Sequence, residues 1–231
     1  MSGDVPAWWR KPRRIAVVVD NPSWVLPWAE RLVAEATAAG DAARLLRDNA
    51  EVEEGTAVAF YLGCVKITPP AVLARARRNL VVHASDLPKG RGFSPLTWQI
   101  IAGINRIPVC LLDAAESVDA GPVVYRDWIE YRGDELIDEL RGPMGEMHVT
   151  LPMRFLAAPT PPAGVPQRGE PGVYPRRRPV DSRIDPDKPL AAQFDLLRTV
   201  DNDKYPAWFE LRGARYVLKI EKMPGTGGGK P

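Results

Sequence analysis

The sequence predicts an α/β protein: a mostly parallel sheet with helices on both faces, then a small C-terminal helix and a β-hairpin. Three observations carry that expectation. Four short apolar runs, at 14–20, 57–63, 80–83 and 107–112, have the continuous hydrophobicity of strands buried on both faces. Segments of helical periodicity lie between them, which is the alternation of a parallel sheet. Beyond a proline-rich stretch, alternating aromatic and apolar residues flank Arg212-Gly213, the pattern of a hairpin.

Residues 1–12 are expected to be mobile. The run RIAVVVD (14–20) is the first strand, and Asn21-Pro22-Ser23 turns the chain. From Pro27, the residues Trp28, Leu32, Val33 and Ala36 recur at helical spacing until Gly40, with proline near the start and glycine past the end. AVAFYLG (57–63) is the second strand. Residues 70–78, rich in alanine and arginine, form a short helix, and LVVH (80–83) is the third strand. Ser94-Pro95 caps a helix to about Ala102, and IPVCLL (107–112) is the fourth strand. Residues 123–131 carry Arg126, Asp127 and Glu130 and read as an edge strand with one wet face. Asp134 is placed to cap a helix through Leu140, whose pattern resumes beyond Pro143 and runs to Phe155.

Residues 159–179 (PTPPAGVPQRGEPGVYPRRRP) lack periodicity and are expected to lie extended on the surface. Leu190, Phe194 and Leu197, at i, i+4 and i+7, mark one more helix, and residues 208–220 the hairpin. The expected organisation is a main domain over 13–158, a connector over 159–187, a helix-hairpin appendage over 188–223, and flexible tails at 1–12 and 224–231. There is no internal repeat.

Lysine and arginine number 31 and aspartate and glutamate 29, for a net charge of +2. That balance argues against a dedicated nucleic-acid binder. No apolar run approaches the roughly 18 residues of a membrane span. The basic N-terminal residues are not followed by the apolar core of a secretory signal, so a cytoplasmic location is expected. Cys64 and Cys110 sit in apolar runs and read as buried free thiols of a reducing compartment. With two histidines and neither CxxC nor HExxH, no metal site is expected. GTGGGK (225–230) lacks both the following helix and the Ser/Thr of a phosphate loop. The first strand is not followed by glycines, and GRG (90–92) is only a fragment of a dinucleotide fingerprint.

The stretch LVVHASDLPKGRG (80–92) carries the chemistry. His83 ends a strand, and ligands of open parallel sheets sit outside the strands' carboxyl ends. A lone histidine is usually structural, and a lone Asp-x-Gly is usually a turn. Their context differs. HASDLPKGRG, then SPLTWQI, then DAGP (119–122), with Asp119 lying 36 positions after His83, resembles the 10-formyltetrahydrofolate-dependent formyltransferases. That family includes glycinamide ribonucleotide, methionyl-tRNA and amino-sugar formyltransferases. The resemblance spans about residues 14–140 and implies the family's Rossmann-like sheet.

It also implies roles. Formyl transfer to an amine passes through a tetrahedral oxyanion and needs a base. By resemblance, His83 contacts the formyl oxygen or the leaving nitrogen, and Asp119 orients His83 and helps remove the amine proton. Leu87, Pro88 and Gly90 match the loop by the folate pocket, and backbone groups around Leu112, Asp113 and Glu116 would read the pterin edge. The family's asparagine two residues before the histidine is Val81 here. Asn79 lies about 6.6 Å further back along the strand. A backbone N–H, Gln99 or Asn21 could serve as the donor instead, or activity is reduced or altered.

YPRRRPVDSRID (174–185), FDLLR (194–198) and YPAWF (205–209) resemble the post-catalytic region of formyltransferases acting on nucleotide-linked 4-amino sugars and on methionyl-tRNA. The chain resembles formyltransferase-like proteins linked to bacterial surface-polysaccharide synthesis. Arg176, Arg177 and Arg178 would pair with a diphosphate, and Tyr205 or Trp208 would stack on a base. Alone, the arginine run would read as a solvated linker.

The expected activity is N-formyl transfer from 10-formyltetrahydrofolate, with no metal, to the primary amine of a nucleotide-linked amino sugar. The alternatives are another small nitrogen nucleophile (a hydrazine, hydroxylamine or amino acid), or a folate- or nucleotide-binding protein without transfer. A tRNA acceptor is disfavoured, because too little chain follows Arg178 for a basic tRNA-gripping barrel. The aromatic hairpin could support a homodimer.

Overall fold

A computed structural model describes residues 5–223 of the chain. The main sheet holds β1 (Arg14–Val18), β2 (Ala42–Leu46), β3 (Thr56–Tyr61), β4 (Ala76–His83), β6 (Arg106–Asp113) and β7 (Val123–Glu130), while β5 (Arg91–Gly92) lies outside it. Its strand order is β2-β1-β3-β4-β6-β7. The pairs from β2 to β4 are parallel, whereas β6 runs antiparallel to β4 and β7 antiparallel to β6. The fourth anticipated strand is therefore reversed relative to the first three.

Side-chain alternation divides the strands between two faces. Val17, Phe60, Leu80 and Leu111 point into the larger core, against α1 (Leu26–Ala38) and α4 (Ile137–Leu156). Ala16, Ala59, Tyr61 and Val81 point to the other face, covered by the single-turn helix α2 (Pro70–Leu73) and by loops. That thinner cover leaves room for a cavity.

Several sequence expectations give way to tertiary packing. β2 was not anticipated; it is an edge strand whose exposed and half-buried residues lack a continuous apolar run. Residues 76–79 join β4 rather than extend the helix expected over 70–78, because β3 pairs with them and Arg78 finds Asp113. Ser94 precedes α3 (Pro95–Ile101) in a left-handed conformation, with no side-chain cap bond. Asp134 does not cap α4; its carboxylate takes Arg132 and Lys222, while Glu139 Oε2 accepts the Leu136 N–H at 2.8 Å. Pro143 and Pro152 lie inside α4 without dividing it.

Residues 5–12 are not a loose tail, since Trp9 is buried and donates to the Ala158 carbonyl. Cys110 is buried, but Cys64 is only half-buried. Beyond α4 the chain forms β8 (Val173–Tyr174), parallel to β5, then a 3₁₀ turn (Leu190–Gln193) leading into α5 (Phe194–Leu197). The hairpin of β9 (Ala207–Leu211) and β10 (Ala214–Leu218) turns at Arg212-Gly213 as anticipated. The expected tail at 224–231, with GTGGGK, and residues 1–4 lie outside the described residues.

α1 and α4 approach closely at Gly145, where a Cβ would lie 2.1 Å from the Trp28 ring. Gly145→Ala is expected to cost about 1–3 kcal/mol through overpacking. Urea denaturation would show a lowered midpoint, and Trp28→Leu in the same chain should recover most of it.

Candidate functional site

His83 is the last residue of β4 and shares the thinly covered face with Val81. Its Nε2 lies 2.8 Å from the Gly90 carbonyl. A carbonyl only accepts, so Nε2 carries the proton. Nδ1 is then the nitrogen turned toward Asp119, whose Oδ2 lies 3.5 Å away. Both side chains are almost fully buried and both line one cavity of about 560 Å³.

Asp119 arrives there by a detour. β6 leaves the sheet beside Asn79, where Ala114 N–H donates to the Asn79 carbonyl, and the chain re-enters at Val123. The base of the loop closes through Asp113 N–H on the Pro122 carbonyl at 2.9 Å. Glycine is required at 121, since a Cβ there would lie 1.8 Å from the Asp113 carbonyl oxygen. Asp119 itself has a left-handed backbone, φ 51°, which aspartate tolerates better than most residues. Its Oδ2 accepts the Gly92 N–H at 2.9 Å.

The proline-rich connector secures this loop. Gln167 Nε2 donates to the carbonyls of Asp119 and Gly121, at 2.7 and 2.8 Å. Its Oε1 accepts from Arg91 Nη2 and Nε, at 2.7 and 3.1 Å. One side chain thus ties the segment after His83 to the segment carrying Asp119.

The cavity has two chemically different ends. One is walled by the loop after β3 and the loop after β6, and includes Leu112, Asp113 and Glu116. Asp20 holds the first of these loops by accepting the N–H groups of Val65 and Lys66. Asp113 is paired with Arg78, whose Nε and Nη2 reach its carboxylate at 2.8 and 3.1 Å. Burial pushes the Asp113 carboxyl upward while Arg78 opposes that shift. Tyr61 and Cys64 also line the cavity, and burial pushes each up to about 12. Both stay protonated at neutral pH, which removes the thiol as a nucleophile.

The other end is basic. Arg176, Arg177, Arg178 and Tyr205 line it, together with one face of α4. Arg176 lies over the Phe93 ring, and Arg177 Nη2 donates to Ser182 Oγ at 3.0 Å. Burial lowers the Arg177 guanidinium from its ordinary value.

Four anticipated residues do not line this cavity. Leu87 belongs to the core with Cys110 and Leu112, and with Pro88 it borders a separate groove beside Tyr125. Gly90 contributes only its carbonyl, to His83. Trp208 is turned away: its Nε1 donates to the Pro179 carbonyl, and Arg183 and Arg215 cover its ring. The amides weighed as substitutes at Val81 are committed elsewhere. Gln99 donates to the Ala84 and Pro95 carbonyls, Asn21 to Asp20 and the Gly63 carbonyl, and Asn79 to the Leu73 carbonyl.

Gln167, the loop over 63–68 and the α4 face were not foreseen. Asp20-Asn21 after a strand was the one local signal for that loop. Gln167 sits in a segment without periodicity and gave none. Among the described residues, no cluster of three or more His, Cys, Asp or Glu could hold a metal ion, and no helix is long and apolar enough to cross a membrane.

No protein-family model matches the chain. A methionyl-tRNA formyltransferase of Ruegeria pomeroyi is 29% identical over 180 residues, which is 75% of this chain and 59% of that protein. The chain thus spans about three-fifths of that relative's length. Solved structures share the fold. A methionyl-tRNA formyltransferase from Clostridium thermocellum superposes with a TM-score of 0.76 at 20% identity, over 92% of this chain and 95% of that one. A sugar N-formyltransferase from a Shewanella species gives 0.69 at 13%, over 91% and 98%. HypX from Aquifex aeolicus, in complex with tetrahydrofolic acid, gives 0.70 at 18%, over 91% of this chain and 38% of that one.

Gln167→Ala should loosen the Asp119 loop by removing two bonds worth about 1 kcal/mol each. Amide exchange at Gly92 and across 117–122 is expected to quicken about tenfold or more, with core strands unchanged. A second expectation concerns pH. Burial pushes His148 of α4 down to about 4 from 6.5. Because the unfolded chain takes up this proton first, the contribution is complete above about 6.5 and is lost as pH falls to about 4. The loss amounts to about 3 kcal/mol. Urea titrations should show a shallower acid limb in His148→Leu than in the wild type.

Proposed function

From the premise that this chain belongs to the formyltransferase family, we propose that it is an N-formyltransferase moving a formyl group from 10-formyltetrahydrofolate to a primary amine on a nucleotide-linked sugar. The observation that carries this reading is the approach of His83 Nδ1 and Asp119 Oδ2 at 3.5 Å within one cavity.

The residues present fit the folate. Val65, Ile67 and Val118 line the apolar end with relative exposures of 44, 74 and 45%. Unburied apolar side chains in a cleft suit a flat heteroaromatic ligand. Together with Leu112 they would hold the pterin, and the bound 10-formyltetrahydrofolate supplies the formyl carbon.

The chain's own residues then manage protons and charge. The amine nitrogen bonds to the formyl carbon and loses a proton, and the bond from that carbon to the folate nitrogen breaks as this nitrogen takes a proton up. Asp119, buried beside Nδ1, accepts the amine's proton. Nδ1 takes that proton from Asp119, faces the oxygen on which negative charge develops, and gives the proton up to the leaving folate nitrogen. The Gly90 carbonyl holds the imidazole in the orientation this exchange requires. The basic end suits a phosphorylated acceptor: Arg177 and its neighbours would take a diphosphate, and Tyr205, 55% exposed, would stack on a base. Use of this folate pool fits a cytoplasmic enzyme, and the exposed hairpin residues Tyr216 and Val217 fit a homodimer contact.

A second reading, folate binding without transfer, is favoured by Val81 and by the committed amides around it. Mass spectrometry of reactions with 10-formyltetrahydrofolate and a panel of nucleotide-linked amino sugars separates the two. Product with stoichiometric release of tetrahydrofolate is expected; folate binding without product across sugars, hydrazine, hydroxylamine and amino acids would establish the second reading. His83→Ala and Asp119→Asn should each lower kcat by about 10²–10⁴-fold, with folate affinity retained. Unchanged turnover in either variant would remove the assigned role.

A further inference from the structure

Ile137, Arg141, Met144 and His148 fall at i, i+4, i+7 and i+11 along α4, and all four line the cavity. Two of them are polar groups that no step above uses. His148 Nδ1 lies 2.8 Å from the Met144 carbonyl. That carbonyl only accepts, so Nδ1 carries the proton and Nε2 keeps a lone pair. Nε2 has no hydrogen-bond partner among the described residues. With His148 pushed down to about 4, the ring is neutral at physiological pH, and this lone pair persists.

Arg141 shows the opposite polarity. Its Nη1 and Nη2 are taken by Asp138 and Asp201, each at 3.0 Å. Its Nε is buried and has no partner, a costly state for a donor unless something completes it. Both groups flank Trp24, which also lines the cavity. The His148 ring stands edge-on with centroids 5.8 Å apart, and the Arg141 guanidinium lies 5.9 Å from the indole centroid.

We propose that this face of α4 is the subsite that reads ring hydroxyl groups of the acceptor, with His148 accepting a hydrogen bond and Arg141 donating one. It rests on the amino-sugar reading above and specifies how the sugar ring, rather than the nucleotide, is recognised. An anion would complete Arg141 Nε but would bring its own lone pairs against His148 Nε2. A cation would meet the guanidinium. Hydroxyl groups donate and accept, and a sugar ring carries several, so one ligand satisfies both groups.

Calorimetry with the full chain tests this, using dTDP-4-amino-4,6-dideoxyglucose, an analogue lacking one ring hydroxyl, and dTDP alone. Wild-type protein is expected to prefer the full sugar about tenfold, one neutral hydrogen bond. His148→Leu should abolish the preference, and His148→Gln, which restores an acceptor, should recover part of it. Arg141→Lys keeps the charge opposite Asp201 but loses the Nε donor, and should weaken the full sugar likewise. Affinities for dTDP and for tetrahydrofolate should stay within twofold in every variant, which reports intact folding.

Equal binding of sugar and analogue by the wild type, or unchanged preference in His148→Leu and Arg141→Lys, overturns the subsite. If the wild type still formylates the sugar, only the subsite falls. If no sugar probe binds, the amino-sugar reading falls with it.

Discussion

Asp119 reaches His83 only because the nine residues between β6 and β7 double back over the thin face of the sheet, and Gln167 holds that detour in place. A buried carboxylate is tolerated when its lone pairs are met. Here one oxygen takes the Gly92 N–H while facing His83. The backbone cannot supply this alone, since Asp119 sits in a left-handed conformation that local propensity does not favour. The two carbonyls held by Gln167 and the tight passage of Gly121 over Asp113 over-determine the loop. Arg91 anchors Gln167 in turn, so a residue eight positions after His83 and one far along the connector jointly fix the site.

The reversal of the sheet makes such a site available. β1, β3 and β4 run parallel and deliver their following loops to one end. β6, antiparallel to β4, carries its outgoing loop away toward Asn79 and must bring it back. The large core on the opposite face, where α1 and much of α4 pack, stabilises the sheet, and only one face of α4 reaches the cavity. Burial there is the main favourable term. The functional face can then afford loops, half-buried apolar side chains and unpaired polar atoms.

How much of this was legible follows from where the signal lay. RIAVVVD, AVAFYLG, LVVH and IPVCLL are strands because central strands bury both faces and read as continuous apolar runs. AARLL at the sheet edge buries little, so β2 had no such run. Residues 76–79 carry helix-favouring Ala and Arg, and only pairing with β3 and with Asp113 overrides that preference. α4 persists through Pro143 because packing against α1 outweighs one missing backbone bond. His83 and Asp119 were legible as a spaced pair, but the Gln167 clamp was not, since one glutamine in an aperiodic proline-rich stretch has no sequence signature. Leu87, Pro88, Gly90 and Trp208 do not line the cavity for a related reason: a motif names residues without saying which side of a loop they face.

Val81 changes how the proposed reaction must be supported. In the family's pattern an amide stands two residues before the histidine; here that place holds an aliphatic side chain that can donate nothing. Tyr61 lies beside Val81 in the β3–β4 register, but its hydroxyl donates to Asn79 Oδ1 at 3.1 Å. Asn21 and Gln99 have spent both amide hydrogens on Asp20 and on carbonyl oxygens, and Asn79 directs its amide to the Leu73 carbonyl. Of the residues assigned to the transfer step, the imidazole is thus the side-chain donor that can meet an oxygen gaining charge. Its ability to donate from Nδ1, once that nitrogen is protonated, depends on Asp119 remaining beside it and on Nε2 staying bound to the Gly90 carbonyl. Loss of the amide therefore shifts electrostatic work onto this ring, and makes the precision of the Asp119 loop matter more than it would beside that amide.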